Sequence, residues 1–401
     1  MASLKYWLWL TTRRGLGAPG VLRVLDCFVT PERAFYAGPE DYALLEGLDG
    51  EALESLRDKD TGQADRILAD CDSQGLRLLT LQDADYPERL RQIPAPPPVL
   101  YIRGRLPAFD EEAAVGVVGT RRPTAYGEQM AGRLGFELAR GGALVVSGIA
   151  RGLDTAALKG ALKGGGTVVS VLGGGTDVYY PKENRWLYED VAAAGALVSE
   201  HPPGTENRAA HFPVRNRIIS GLCLGVAAVE CGLHSGTMRT MEWVWEQDRD
   251  AFAVPGPVGA PMSEGPNRLI QQGAKLITCG EDILTEYRGR YPLRLPDPGP
   301  PEGEAGGPRP EPAAGPAPRP APPPEREVVP LARQKERFTD DELAVLTALG
   351  EGRRSADELT ELTGIPIRRV TTALTMLQVR SAVAEEPGRR FSALLRLEAG
   401  R

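Results

Sequence analysis

The chain has 401 residues, of which 42% are hydrophobic and 25% charged, a composition typical of packed globular domains. Its net charge of −7 argues against a protein that coats nucleic acid by bulk attraction, so any nucleic-acid site must be a local basic groove. The longest apolar runs, such as residues 167–172, are too short to cross a bilayer. The five cysteines form no CxxC pair, which disfavours disulfides and zinc and favours a reducing, cytoplasmic compartment.

Residues 1–78 predict a small helical domain. Gly15 and Gly17 precede one helix with apolar periodicity, and Gly47 and Gly50 repeat the pattern before another. Glycine turns between short helices resemble SAM-like or helix–hairpin–helix modules, some of which bind DNA backbones through turn amides. A plain packing module is an equally good interpretation.

From residue 79 to residue 290, apolar runs of strand length alternate with segments of helical periodicity. Strands that are apolar throughout are buried on both faces, and the helices between them imply parallel crossovers. This pattern predicts an α/β fold with an extended Rossmann-like, doubly wound and mostly parallel sheet. In such a sheet, ligands bind beyond the carboxyl ends of the strands.

Two further segments follow the sheet. Residues 291–334 are dominated by proline, glycine and alanine, which predicts a disordered linker. Residues 335–401 predict a winged-helix domain, with a tight turn at 364–365 between two helices and a hairpin with a Pro-Gly tip. The charge of this domain is nearly balanced, so duplex DNA contact and protein contact both stay open.

The loops after the predicted strands combine glycine, hydroxyl and cationic residues. Glycines let backbone amides approach an anion, helix N-termini add partial positive charge, and arginine or lysine supplies full charge. A row of such loops suits a polynucleotide, and Phe212, Tyr180 and Tyr179 offer stacking surfaces for unpaired bases. The candidate DNA-binding residues in these loops are Gly119, Thr120, Arg121, Ser147, Gly148, Lys182, Phe212, Arg215, Asn216, Arg217, Ser235, Gly236 and Thr237.

Enzyme signatures are weak in this chain. No GxGxxG follows the first strand of the sheet, no GxxxxGK[ST] occurs, and the three histidines lack metal spacing. A competing hypothesis is a phosphoribohydrolase-like, nucleotide-processing enzyme that uses residues 173–175 with Glu183 or Glu242. No general base with a matched partner supports that hypothesis, so we expect a binding protein without catalytic residues, metal or cofactor.

Seven motifs occur in order between about residues 115 and 285. They are VVGTRRPTAYG, VVSGIARGLDTAA, GGGTVVSVLGGGTDVYYPKEN, HFPVRNRIISGL, VAAVECGLHSGTMRT, FAVPGPVG and NRLIQQGAKLIT. Together they closely resemble the DNA-processing protein A family (DprA, also called Smf), and the flanking segments resemble its SAM-like and winged-helix appendages. The resemblance implies a homodimer that binds single-stranded DNA and helps to load the RecA recombinase on it during natural transformation.

The resemblance also implies roles for particular residues. It places Arg121 and Lys182 along the DNA groove. Many members carry a lysine six residues before the first arginine of RNR, where this chain has Ala209, and Arg208 is the expected substitute. The candidate dimer residues near the end of the core are Leu269, Ile270 and Leu276.

Overall fold

The protein is described from a computed structural model. The residues that it describes are 2–296, 327–330, 337–350, 352–380, 382–386 and 390–397. The chain forms two compact units, Met1–Gly303 and Glu304–Arg401. Most of the linker predicted over 291–334 lies outside the described residues. At its start the prediction needs correction, because Tyr291 and Leu295 are buried in the core of the first unit.

The first unit begins with six helices. They are α1 (Ala2–Thr11), α2 (Gly17–Phe28), α3 (Pro31–Tyr36), α4 (Pro39–Tyr42), α5 (Gly50–Arg57) and α6 (Gly62–Ser73). Gly15 adopts a φ of +76°, and a Cβ there would lie 3.0 Å from the backbone nitrogen of Ala52, so the turn before α2 needs glycine. The helices share an apolar core that includes Val99 and Tyr101 of the neighbouring sheet.

A nine-stranded sheet forms the centre of this unit. Its strands are β1 (Arg77–Thr80), β2 (Val99–Gly104), β3 (Ala114–Val118), β4 (Leu144–Ser147), β5 (Val168–Val171), β6 (Ala196–Ser199), β7 (Gly225–Ala228), β8 (Asp250–Ala253) and β9 (Lys275–Leu276). Their order is β1-β2-β6-β5-β4-β3-β7-β8-β9. The pairs β1–β2 and β2–β6 are antiparallel and the other neighbours are parallel, which confirms the mostly parallel sheet.

Helices cover both faces of the sheet. They are α7 (Glu88–Arg91), α8 (Ala125–Arg140), α9 (Leu153–Lys163), α10 (Arg185–Ala194), α11 (His211–Leu222), α12 (Gly236–Glu246), α13 (Glu264–Gln271) and α14 (Glu281–Tyr287). Val115 and Val117 of β3 pack in the core that contains α8 and α9, whereas Ala114 and Val118 pack in the core that contains α11 and α12. This alternation confirms a doubly wound α/β fold.

The strand order reverses between β3 and β7. From β3 the chain builds outward through β4, β5 and β6, and it then returns to place β7 on the other side of β3. Loops that leave the carboxyl ends of β3 and β7 therefore run in opposite directions and leave a crevice between them. Two 3-10 turns, Phe109–Glu111 and Lys182–Asn184, complete the first unit.

The second unit is a winged helix, as predicted. Its elements are β10 (Glu327–Val329), α15 (Asp340–Leu349), β11 (Arg353–Ser355), α16 (Ala356–Thr363), α17 (Ile367–Val379), β12 (Val383–Glu386), β13 (Arg390–Ala393) and β14 (Leu395–Leu397). Reciprocal hydrogen bonds between Thr339 and Glu342 and between Ser355 and Glu358 start α15 and α16. The predicted Pro-Gly tip lies outside the described residues. Each helix in the described ranges falls short of the length and apolarity that a membrane span requires.

Candidate nucleic-acid interface

The loops that follow β3 to β7 converge on one cleft at the carboxyl edge of the sheet, which we call the carboxyl-edge cleft. It encloses about 650 Å³, and Arg121, Arg122, Tyr180 and Phe212 also line a smaller recess that continues from it. The predicted residues that line the cleft or this recess are Gly119, Thr120, Arg121, Gly148, Phe212, Arg215, Asn216, Ser235, Gly236 and Thr237. The structure therefore brings most of the candidate residues together.

The cleft is strongly positive although the chain as a whole is acidic. Its walls carry exposed Arg121, Arg122 and Arg239, while exposed Lys182 and Arg208 are each next in sequence to a lining residue. Within the described ranges none of these five cations has an acidic partner. The acid that lines the cleft, Asp154, is buried, so the exposed cations present a local basic surface to a polyanion.

Two aromatic rings lie in the cleft. The ring centroids of Tyr180 and Phe212 are 5.6 Å apart with an interplanar angle of 38°, and Tyr180 is 46% exposed. The guanidinium carbon of Arg121 lies 4.9 Å from the centroid of Phe212, within cation–π range. This contact positions a cation beside a surface on which an unpaired base can stack.

Beneath the loops, Arg215 and Asp154 hold the loop after β4 in place. Arg215 donates to the carbonyl oxygens of Gly148, at 2.9 Å, and of Val171. Backbone amides of Gly148 and two other loop residues surround the carboxylate of Asp154 and favour its charged form. Burial raises the pKa of Asp154 and lowers the pKa of Arg215. The positive charge of Arg215 partly offsets the shift of Asp154, and the negative charge of Asp154 partly offsets the shift of Arg215. Arg215 therefore lines the cleft mainly as a positioning residue.

The substitution Gly148→Ala tests this arrangement. A Cβ at residue 148 would lie 2.4 and 2.6 Å from the terminal nitrogens of Arg215 and 2.7 Å from Oδ2 of Asp154. We expect the variant to lose about 1–3 kcal/mol of stability, as overpacked cores do, measured by urea unfolding. Gly289→Ala is the control, because nothing lies within 4 Å of its added Cβ. Equal stability of the two variants would contradict the arrangement.

Two predicted DNA-binding side chains face the interior instead. Arg217 is 3% exposed and donates to both carboxylate oxygens of Glu200, at 2.7 and 3.0 Å, and to the carbonyl oxygen of Ala95. Ser147 is fully buried, and its hydroxyl donates to the carbonyl oxygen of Val117 at 2.7 Å. Their assignment as direct contacts is corrected, because these bonds direct both side chains away from the cleft.

The N-terminus of α12 lies at the cleft and is suited to binding an anion. Ser235 caps this helix by accepting a hydrogen bond from the amide of Met238, and nothing lies within 4 Å of a Cβ built on exposed Gly236. Free amides and the helix dipole favour a phosphate there. Arg239 was not among the predicted residues, although its position four residues after Ser235 places both on one helix face. Arg122, which adjoins Arg121, was not among them either.

The residues proposed for the competing enzyme do not form a site. Cβ atoms at Gly174 and Gly175 would lie 2.7 Å from the carbonyl oxygen of Thr205 and 2.6 Å from Oδ1 of Asp177, so these glycines are covered by protein. Glu183 is exposed and bonds to Arg151, which lowers the pKa of its carboxyl. Glu242 is exposed on α12 and does not line the cleft. Across the described ranges, no cluster of His, Cys, Asp and Glu suits a metal ion.

The predicted dimer residues have different environments. Leu269 is fully buried in the core, which corrects its assignment to a subunit surface. Ile270 is partly buried against the same core, while Leu276 is 47% exposed on β9, the strand at the edge of the sheet. Of the three predicted dimer residues, Leu276 and part of Ile270 are therefore accessible to a second subunit.

A Rossmann-like sheet with a basic, aromatic cleft at its carboxyl edge defines a class of α/β proteins suited to binding polyanions. The family model of the DNA recombination-mediator protein A matches residues 77–288, and that of the DprA winged helix domain matches residues 312–389. The chain belongs to this family, known as DprA or Smf.

Individual relatives agree with the family match. The chain is 32% identical over 395 residues to Protein Smf of Synechocystis sp., covering 96% of this chain and 98% of that protein. It is 42% identical over 225 residues to the DNA processing protein DprA of Bacillus subtilis, covering 56% and 76% of the two chains. The crystal structure of DprA from Streptococcus pneumoniae is 33% identical with a TM-score of 0.63, covering 70% and 97%.

Proposed function

We propose that the chain binds single-stranded DNA in the carboxyl-edge cleft and helps to load RecA recombinase on that strand during natural transformation. The observation that carries the proposal is that one cleft combines the Tyr180–Phe212 pair with five exposed cations on or next to its walls, none of which has an acidic partner in the described part of the chain. The cations suit phosphates and the rings suit unpaired bases. Binding alone serves this role, so we assign no catalytic residue.

The proposal favours single strands over duplexes. A duplex keeps its bases stacked inside, where Phe212 and Tyr180 cannot reach them, whereas a single strand exposes both bases and phosphates. Base stacking on an aromatic side chain contributes roughly 1–3 kcal/mol per base. We therefore expect a dT oligonucleotide to bind at least about tenfold more tightly than a duplex of equal length.

Fluorescence anisotropy over a range of salt concentrations tests this function. For single strands, the slope of log K against log salt concentration is about −0.7 for each neutralised phosphate. If all five cations of the cleft contact phosphates, the slope is about −3.5. A slope near zero, or equal affinity for single strand and duplex, would exclude this cleft as a single-strand site.

We also propose a homodimer formed along the outer edge of β9. Leu276 is exposed there and Ile270 lies on the neighbouring helix, so both offer apolar surface at a sheet edge that lacks a partner strand in the described chain. A dimer would carry two clefts and so hold a longer strand. Sedimentation equilibrium of the full chain tests the dimer, and a mass equal to one chain would exclude it.

A further inference from the structure

A second pocket lies beside the carboxyl-edge cleft. It encloses about 610 Å³ at the ends of β3, β7 and β8, and we call it the proline pocket. Met262 lines both the pocket and the cleft, so the two spaces are neighbours. The backbone amide of Thr120 in the cleft donates to the carbonyl oxygen of Glu230, a residue of the pocket, at 2.8 Å.

Apolar groups form most of the walls of the proline pocket. They are the ring of Tyr126, the side chain of Met262, and the rings of Pro255, Pro257 and Pro261. The hydroxyl of Tyr126 donates to the carbonyl oxygen of Pro255 at 3.2 Å and so ties two walls together. Apolar walls with a few polar groups are typical of sites for small planar ligands.

One charged group lies in this apolar setting. Glu230 lines the pocket yet is only 3% exposed, and its carboxylate accepts hydrogen bonds from the amide and hydroxyl of Thr124 at 2.9 and 2.6 Å. Within the described ranges no cation pairs with it. A carboxylate has about four acceptor positions and no donor, so it retains capacity for a ligand that donates. Its negative charge disfavours a phosphate and favours an amino group.

We propose that the proline pocket binds a nucleobase with an exocyclic amino group, from the strand held in the carboxyl-edge cleft. This inference rests on the proposed function, since the cleft must first hold the strand. Adenine, guanine and cytosine each offer an exocyclic amino group to Glu230, whereas thymine has none and can donate only through its ring N3–H. The chain thus prefers strands in which such a base can enter the pocket.

A dT oligonucleotide that carries one 2-aminopurine tests the proposal, because this fluorescent base has an exocyclic amino group. When the strand binds, we expect the pocket to shield the base from acrylamide quenching by about fivefold. The variant Ala260→Trp fills the pocket and is expected to remove the shielding while leaving the affinity for an all-dT strand unchanged. Val258→Trp is the matched control, because Val258 belongs to the same loop and is 99% exposed.

Glu230→Gln provides a second variant that keeps the shape of the pocket. It is expected to lower the preference for a dT strand with one dA over an all-dT strand, from about tenfold to about twofold. This fivefold loss of preference corresponds to about 1 kcal/mol, the net contribution of one typical hydrogen bond.

The outcomes separate this inference from the proposed function. Equal shielding in Ala260→Trp and Val258→Trp, with normal all-dT binding, would overturn the pocket assignment and leave the cleft intact. Failure of the unmodified protein to bind all-dT would overturn both. If the pocket shields free 2-aminopurine deoxyribonucleoside monophosphate, and Ala260→Trp removes that shielding, but the same base in a bound strand is not shielded, the pocket is a site for free nucleotides. That result would overturn the link to the strand.

Discussion

Replacing Arg121 and Lys182 together by alanine is expected to weaken binding of a dT oligonucleotide by roughly 100-fold. Arg121 lies beside the ring of Phe212, and Lys182 follows Pro181, which lines the recess continuous with the cleft. Both cations are exposed and lack acidic partners in the described chain, so their removal costs no internal ion pair. Each charge-assisted phosphate contact contributes about 1–3 kcal/mol, and the loss of two accounts for the expected change.

Fluorescence anisotropy measures this effect, and the salt dependence checks its cause. Loss of two phosphate contacts should make the slope of log K against log salt concentration shallower by about 1.4. The matched control replaces Arg105 and Lys163, two exposed residues at the opposite edge of the sheet. It removes the same charge, so equal weakening by both double variants would point to bulk attraction. Unchanged binding by Arg121→Ala/Lys182→Ala would remove these residues from the interface.

The position of the cleft could be predicted because parallel topology leaves little choice. Strands buried on both faces and joined by helices must all point the same way, so their carboxyl ends share an edge. Loops after Val118, Ser147 and Val171 therefore meet, whatever the details of their packing. The reversal of strand order at β3 decides where the loops diverge, and the sequence pattern did not predict it. Arg121 was expected in the groove from the family resemblance, and Phe212 as a stacking surface from its residue type.

The direction of each side chain was much harder to predict. Arg215 and Arg217 both belong to one cationic motif on α11, yet neither is exposed. The partner of Arg217 is Glu200, which follows β6 and comes near only when the sheet forms. A local pattern does not reveal such a pair. A similar limit applies to Tyr291 and Leu295, because the proline-rich composition around them conceals two apolar residues that pack in the core.

The proline pocket also could not be predicted from the sequence pattern. The FAVPGPVG motif was noted for its family likeness, but Pro255 and Pro257 contain no group that signals a binding site by itself. Their significance comes from the position of Tyr126, in the first turn of α8, and of Glu230, in the loop after β7 at the same edge. These side chains come together around the proline pocket only when the sheet is assembled.

Replacing Arg217 by alanine is expected to destabilise the first unit by about 3–5 kcal/mol. The substitution leaves the carboxylate of Glu200, with 11% of its side chain exposed, without its cation, and an uncompensated buried charge has a cost of this size. All five tryptophans belong to the first unit, so their fluorescence during urea unfolding reports on it. Lys5→Ala, which removes an exposed ion pair with Asp65, is the control and should change stability by less than about 1 kcal/mol.

A double substitution distinguishes an ion pair from a DNA contact. If Arg217 acts through Glu200, then Arg217→Met combined with Glu200→Leu should recover much of the stability lost in Arg217→Ala, because no unpaired charge remains. Its affinity for dT should then recover with the fold, since the cations of the cleft are intact. If the double variant is stable but no longer binds DNA, Arg217 contacts DNA directly. In that case its guanidinium would have to leave Glu200 to reach a phosphate.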